Sequence, residues 1–408
     1  MPTDFDALDR ADPLTDVAAR FEPGHAGVLY FDANSIGAMP ITARERIERV
    51  LDEWRELRRG GWAESDWLDA PLRLGDKLAP IIGARAGEIA VGDSTSVNLF
   101  KALGAALRLR PGRTRIVTEI GSFPTDLYAA QALARLFPGV EIVYAREGED
   151  PRTLVDARCA ALYLSHVDYR SARRHDLAAL SAHAHTHGAL SVWDLSHSAG
   201  ANPIDLVGAA ADFAVGCGYK YLCGGPGAPG YIRIAAHLQQ ACDPILAGWM
   251  GHADKFAFAP DYAPAPGIAR QIVGTPAVIA NAVFEAALDV WRAVDLAAAF
   301  AKHARLGDLA LNSIAQATAA AGVSIASPRA AGRRGGFVAI GHAQAKAIVA
   351  ALEDHGVIAS YRPPDVIRFG LSPLYHRYRD IGALVERLAR IVNERLWDRP
   401  QYLQARTT

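Results

Sequence analysis

Between residues 115 and 234 the chain alternates short apolar runs with amphipathic segments, and that alternation restricts its possible folds more than any other feature. RIVTEI (115–120) reads as a strand, and PTDLYAAQALARLF (124–137) as a helix with Thr125 or Asp126 near its start. VEIVYA (140–145) and AALYLSHV (160–167) follow as strands, and DLAALSAHAHTHG (176–188) as a helix closed by glycine. ALSVWD (189–194), ADFAVGC (211–217) and GYIRI (230–234) complete the set. Strands that are apolar throughout, rather than alternately, must be covered on both faces. Helices lying between them supply that cover, so the pattern predicts an α/β fold with a mostly parallel central sheet. Ligands of such sheets bind outside the carboxyl ends of the strands. Ser165, Asp194 and Lys220 all fall at or just past such ends.

Lys220, in GCGYKYLCGGPGAPG, ends an apolar run, has tyrosine on both sides and opens into a Gly/Pro loop. Lysine is strongly hydrated and is seldom placed at the edge of a buried segment without a task. Asp194 stands at the tip of another apolar run, with His197 three residues further on. Two uses fit the pair. One is an ion pair closing two strand ends. The other is pyridoxal phosphate chemistry, which needs an amine that forms an imine and a carboxylate that holds a pyridinium nitrogen.

The loops favour the second use. GDSTSVNLFKALGAAL (92–107) sets Ser94, Thr95 and Ser96 directly before a helix, where hydroxyls and free N–H groups form an anion site or a plain N-cap. SFPTDLY puts Phe123 one turn before Asp126 at a strand-to-helix junction, placed to stack on a flat ring or to join the core. Arg368, in a strand-like run DVIRFGLS, is either a surface residue or a bidentate partner for an amino-acid carboxylate facing an interdomain cleft. His183 and His187 in HAHTH stand at i and i+4 without a third ligand in phase, so they read as helix-terminal histidines and not as a metal site. GPGAPG lacks both G-x-G-x-x-G and G-K-[ST] spacing, and its glycines let the backbone pass close to the lysine.

From about 276 a long helical stretch leads away from the sheet, followed by FVAI (337–340), AQAKAIVAALEDHG (343–356), VIRFGLS (366–372) and a final helix from about 379 to 396. These predict a smaller α+β domain. The reading divides the chain into 1–50, an N-terminal segment joining the small domain; 51–280, the large cofactor-binding domain; and 281–408, the long connecting helix and the small domain. A net charge of −1 gives no reason to expect a nucleic-acid partner, and no apolar stretch approaches the roughly 20 residues of a membrane span. The acidic start MPTDFDALDRADPLTD does not resemble a signal peptide, and four cysteines without metal spacing suit reduced thiols in a cytoplasm.

Taken together, FDANSIGAMP, VGDSTSVNLFKAL, SFPTDLYAAQ, SHVDYRS, WDLSHSAG, GCGYKYLCGGPGAPGYI, GWMGHADKFAF, PAPGIARQIVGTP and IRFGLSPLY resemble the kynureninase family of pyridoxal-phosphate enzymes. The similarity covers most of the chain. It implies the transferase fold type I, with pyridoxal 5'-phosphate as cofactor and no metal. Lys220 would hold the cofactor covalently, and Asp194 would pair with its ring nitrogen. Phe123 would stack on the ring, with Asp126, Ser165 and His197 close to it. Thr95, Ser96 and Tyr219 would hold the phosphate, and Trp249 and Thr275 would reach the cofactor of the second subunit of a homodimer. Arg368 would bind the substrate carboxylate, with Asn34 and Ser35 beside it. The implied reaction is hydrolysis of the Cβ–Cγ bond of L-kynurenine or 3-hydroxykynurenine, giving anthranilate or 3-hydroxyanthranilate and L-alanine. Lys220, Tyr219 and Asp194 would carry it, and the implied setting is tryptophan catabolism and NAD biosynthesis. The chain departs from the family pattern at Ser122, Ala33 and Ser171-Ala172 and over 327–345, which leaves a substituted kynurenine or class V aminotransferase chemistry as alternatives. A desulfurase needs a cysteine in the small domain, and all four cysteines precede residue 243.

Overall fold

A computed structural model describes residues 4–404, so the first three and last four residues of the ranges read from the sequence lie outside it. A two-residue strand β1 (Leu29–Tyr30) precedes the strands of the central sheet. These are β2 (Ile89–Val91), β3 (Arg115–Glu119), β4 (Glu141–Ala145), β5 (Cys159–Ser165), β6 (Leu190–Asp194), β7 (Phe213–Cys217) and β8 (Gly230–Ile234). Five more follow: β9 (Ser324–Ile325), β10 (Phe337–Gly341), β11 (Val357–Ile358), β12 (Ser360–Arg362) and β13 (Val366–Gly370).

The central sheet runs β2-β8-β7-β6-β5-β3-β4. Its five strands from β4 to β7 are parallel, whereas β8 is antiparallel to β7 and β2 is antiparallel to β8. The chain is thus an α/β protein with a mostly parallel sheet flanked by helices. The connection explains the reversal at β8. The glycine loop between Cys217 and Gly230 has about the dozen residues of a minimal parallel crossover but contains no helix to carry one across the sheet. The antiparallel return brings Gly230, the first residue of β8, to the end of the sheet where the parallel strands finish. There it closely approaches the helix Thr95–Leu109: a Cβ on Gly230 would sit 2.9 Å from the Thr95 nitrogen.

Strands β5, β6 and β7 are buried along their whole length, as their apolar composition requires. One core cluster joins Leu162, Trp193, Ala214 and Tyr231 to Phe284, Leu288 and Trp291 on the far side of the sheet from residues such as Leu103, Leu133 and Tyr163. A separate cluster of Leu306, Ile348, Ile367, Phe369, Leu384 and Leu388 fills the smaller α+β region, and Phe31 packs into it while β1 pairs with β11. Leu14, Val17 and Phe21, by contrast, pack with the large-sheet core.

The stretch read as one long helix from 276 is two: Val278–Arg292 and Leu296–Ala317. Asp295 makes the break. Its carboxylate accepts from the Ala297 N–H at 2.8 Å and the Ala298 N–H at 3.3 Å, satisfying the start of the second helix. An alanine-rich pattern on both sides hides such a cap in the sequence.

Candidate active site

The carboxyl ends of β5 and β6 set Ser165 and Asp194 opposite each other in register. The helix Pro124–Leu136, entered directly after β3, brings Asp126 to the same place. Asp194 and Asp126 are both buried, and they share one hydroxyl: Ser165 Oγ lies 3.1 Å from an Asp126 oxygen and 3.5 Å from Asp194 Oδ2. Asp194 Oδ1 accepts from the Ser196 N–H at 2.9 Å and the Ser196 hydroxyl at 2.6 Å. Oδ2 has only the long Ser165 contact. Burial, then the charge of Asp194, pushes Asp126 up to about 8, and burial also raises Asp194. The pair is short of positive charge. A cation at Oδ2, such as a protonated ring nitrogen, is what these carboxylates lack.

Lys220 follows β7 and lies deep in the cleft with part of its side chain open to it. Its Nζ is 3.2 Å from His197 Nε2 and 5.9 Å from the centre of the Tyr219 ring. Burial lowers the lysine, with Cys217 and Asp194 opposing; burial and the charge of Lys220 hold the His197 imidazole far below its ordinary value, hence neutral. One imidazole nitrogen is therefore an acceptor for the amine. Burial raises the Tyr219 phenol, which stays protonated. The N-terminal segment locks this loop from behind, since the Gly37 N–H donates to the Tyr219 carbonyl at 2.8 Å. A Cβ at Gly37 would lie 2.4 Å from the Lys220 carbonyl oxygen.

Thr95 and Ser96 form the first turn of the helix Thr95–Leu109, one step inside the position expected, because Ser94 is the N-cap. Ser94 Oγ accepts from the Val97 N–H, and the Thr95 and Ser96 N–H groups ahead of it remain without intrahelical partners. Ser96 Oγ is 2.7 Å from Thr125 Oγ1, which ties this helix end to the one carrying Asp126. The close Gly230 backbone leaves an open cradle there for an anion. Phe123 is 40% exposed and stands perpendicular to the Tyr169 ring, with centroids 5.2 Å apart, leaving part of its surface open for stacking. The residues present fit pyridoxal phosphate at both its charged ends and across its ring.

Across the cleft, Arg368 in β13 is fully buried. Its Nε donates to Ser360 Oγ at 3.1 Å and its Nη1 to the Tyr169 carbonyl at 2.6 Å, while Nη2 has no partner among the described residues. Burial and the neighbouring Arg362 lower this guanidinium to about 9. Asn34 donates to Ser360 Oγ at 3.3 Å, and its Oδ1 is also unpartnered. Ser35 turns instead to Asp32, donating at 2.8 Å.

The profile of the kynureninase C-terminal domain matches residues 300–388. Along 397 residues the chain is 44% identical to a kynureninase of Deinococcus radiodurans, covering 96% of each. It is 40% identical over 402 residues to the kynureninase of Pseudomonas fluorescens, covering 97% of this chain and 96% of that one. The chain belongs to the kynureninase family. Solved structures extend the likeness of fold. The cystine C–S lyase C-DES in complex with cysteine persulfide superposes with a TM-score of 0.78 at 20% identity, over 90% of this chain and 98% of that one. A cysteine desulfurase of Thermococcus onnurineus gives 0.76 at 20%, over 97% and 99%. The fold is therefore that of the type I pyridoxal-phosphate enzymes.

Of the kynureninase-type residues read from the sequence, Ser165, Asp126, Asp194, His197, Tyr219 and Lys220 cluster at the strand ends. Thr95, Ser96 and Phe123 lie at the adjoining helix starts. Arg368 and Asn34 face them from the small domain. Trp249 and Thr275 lie elsewhere in the single chain: both are exposed, Trp249 packs edgewise on Phe256, and Thr275 lines a 270 Å³ cavity with Lys101 and Asn281. Three further residues position the site without a clear signal in the sequence. Tyr169 sits inside the motif SHVDYRS, but it acts through its carbonyl, which no side-chain reading detects. Ser360 anchors both Arg368 and Asn34 from an edge strand with no motif around it. Gly37 belongs to FDANSIGAMP, where a glycine after a small polar run was the only signal.

Proposed function

We propose that this chain binds pyridoxal 5'-phosphate and hydrolyses the Cβ–Cγ bond of L-kynurenine, giving anthranilate and L-alanine. The observation that carries the reading is the cluster at the sheet end: an amine with no carboxylate partner, a cation-deficient carboxylate pair and, across the cleft, a buried guanidinium with a free Nη2. The bound cofactor supplies a carbonyl that condenses with amines and a conjugated ring that accepts an electron pair.

The side chains supply the rest. Arg368, with Asn34 beside it, holds the α-carboxylate. Asp194 pairs with the ring nitrogen and keeps its proton in place, while Asp126 and Ser165 hold Asp194. Lys220 takes the proton from Cα and serves as the local base. Tyr219, kept protonated, donates at the side-chain carbonyl while water adds its hydroxyl to that carbon. The Cβ–Cγ bond then breaks: Cγ, bearing the aryl ring, leaves as the carboxyl group of anthranilate, Cβ receives a proton to become the methyl of alanine, and Lys220 returns the proton to Cα. Thr95 and Ser96 anchor the phosphate, with Tyr219 next to them.

The active assembly in this reading is a homodimer in which Trp249 and Thr275 serve the neighbouring subunit. An apolar groove of 1220 Å³ lined by Met39, Leu51, Trp54, Trp62 and Ile279, with Phe256 and Phe258 exposed nearby in sequence to Trp249, supports it. We place the division of the chain at 50 and 280, the first segment joining the small domain through Phe31 and β1 while its Leu14, Val17 and Phe21 pack on the large-sheet core. A cytoplasmic setting suits four unpaired, buried cysteines, and no helix among the described residues is long and apolar enough to cross a membrane.

The test is a product assay. Purified holoenzyme given L-kynurenine and no keto acid should release anthranilate and alanine in equal amounts. Turnover only when a keto acid is added would replace hydrolysis with amino transfer.

A further inference from the structure

One cation facing the cleft has no task in the reaction above. Arg362 ends β12, the edge strand of the small sheet. Side chains alternate along a strand, so Arg362 shares its face with Ser360 and opposes Tyr361, which packs into the small-domain core. Ser360 marks which face this is, since its hydroxyl accepts from Arg368 Nε and from Asn34. Register agrees: Ser360 pairs with Arg368 and Arg362 with Val366, and Val366 packs against Val167 and Ala172 of the large domain. Arg362 therefore stands on the same strand face as Ser360, two residues further along and beside Val366 where the small sheet meets the large domain.

Its guanidinium is half-buried, and its only hydrogen bond among the described residues is from Nη1 to the adjacent Tyr361 carbonyl. Asp32 is the carboxylate near both arginines, yet it forms an ion pair with neither; it takes the Ser35 hydroxyl instead. Two guanidiniums thus share one face with no ion-paired carboxylate among the described residues, and the charge of Arg362 lowers the readiness of Arg368 to carry its own. Such a face is costly empty and favourable once an anion lies between the two forks.

We propose that Arg362 is the second arm of a two-arginine clamp on the substrate carboxylate. Arg368 Nη2 takes one carboxylate oxygen, and Arg362 takes the other. The inference rests on the assignment of Arg368 to the α-carboxylate. It adds a specificity-determining residue: Arg362 makes the site select free amino acids over amines and amides, whatever the side chain to be cleaved.

The experiment measures equilibrium binding to the holoenzyme of L-alanine, which has the carboxylate, and of L-alaninamide, which does not. Losing a charge-assisted hydrogen bond at a half-buried site costs about tenfold or more in affinity. Arg362→Gln should therefore weaken L-alanine by about tenfold or more and leave L-alaninamide within about twofold. Arg362→Lys, which keeps the charge and loses the fork, should fall between the parent and Arg362→Gln for L-alanine. Equal weakening of both ligands would make Arg362 a structural residue and overturn the proposal, as would unchanged L-alanine binding in both variants. L-Kynurenine turnover by the parent is scored separately. If the parent fails to cleave kynurenine but the two ligands still separate, the reaction reading falls and the clamp stands.

Discussion

Gly37→Ala tests how the N-terminal segment sets the position of Lys220. The new Cβ would lie 2.4 Å from the Lys220 carbonyl oxygen, 2.7 Å from Cys223 Sγ and 2.8 Å from Cys223 Cα. Favourable heavy-atom contact begins at about 3.5 Å, so the loop from 220 to 223 or the strand end at 37 must retreat by roughly 1 Å. Two of the three obstacles are backbone atoms, which cannot swing aside as a side chain would. Cys223 already has a left-handed φ of +60°, leaving the loop little freedom to adapt. Overpacking of this kind costs about 1–3 kcal/mol, which a chain of this size survives. A misplacement of about 1 Å in a reacting group costs about 10²-fold in rate. The variant should therefore fold, bind cofactor and lose about two orders of magnitude in kcat, measured by anthranilate release beside a urea unfolding curve. Gly24→Ala is the control, because no atom lies within 4 Å of its Cβ, and it should match the parent. A Gly37→Ala enzyme with parental kcat would refute the claim that this contact positions Lys220.

Three further outcomes follow from the geometry. Arg368→Ala leaves the carboxylate without its buried partner and should lower kcat/KM by about 10²-fold or more while cofactor content stays parental; loss of cofactor instead would show that Arg368 serves the wrong ligand. In the cofactor-free protein Asp126 has a folded-state value of about 8, above its unfolded one, so its contribution is whole at low pH and is lost as pH rises toward 8. Asp126→Asn should accordingly flatten the decline in unfolding free energy between pH 5 and pH 8, and an unchanged slope would contradict the raised value of the buried Asp126 carboxyl. Asp295→Ala removes the cap at the helix break and should lower unfolding free energy by about 1 kcal/mol, seen as a lower urea midpoint at unchanged slope.

Much of the site was legible because its chemistry sits where the periodicity changes. Ser165, Asp194 and Lys220 were found as polar residues ending apolar runs, and buried parallel strands leave that signature. Lys220 needed the neighbouring loops before its task could be separated from an ion pair. Other features were hidden for physical reasons. Strand β2 is three residues long, too short for a period to register, and the reversal of β8 depends on what a glycine loop can span. The break at Asp295 competes with strong alanine propensity on both sides. Arg368 showed as a charge in a strand, but its partners are a backbone carbonyl of the other domain and a serine on an edge strand, and neither is visible before the chain folds.

The sheltered lysines differ in what they face: Lys77 is held by Glu285 at 2.8 Å and Asp289 at 2.6 Å. Lys101 pairs with Asp93 at 2.8 Å and Lys302 with Asp12 at 2.8 Å, whereas Lys220 faces a neutral imidazole and a carboxylate pair lacking a cation. Borohydride reduction of the holoenzyme followed by peptide mass mapping reads directly which amine holds the cofactor. The account predicts a single pyridoxyl label on Lys220, absent from Lys220→Ala, which should also release no anthranilate. A label on Lys101 or Lys302, or parental turnover by Lys220→Ala, would contradict it.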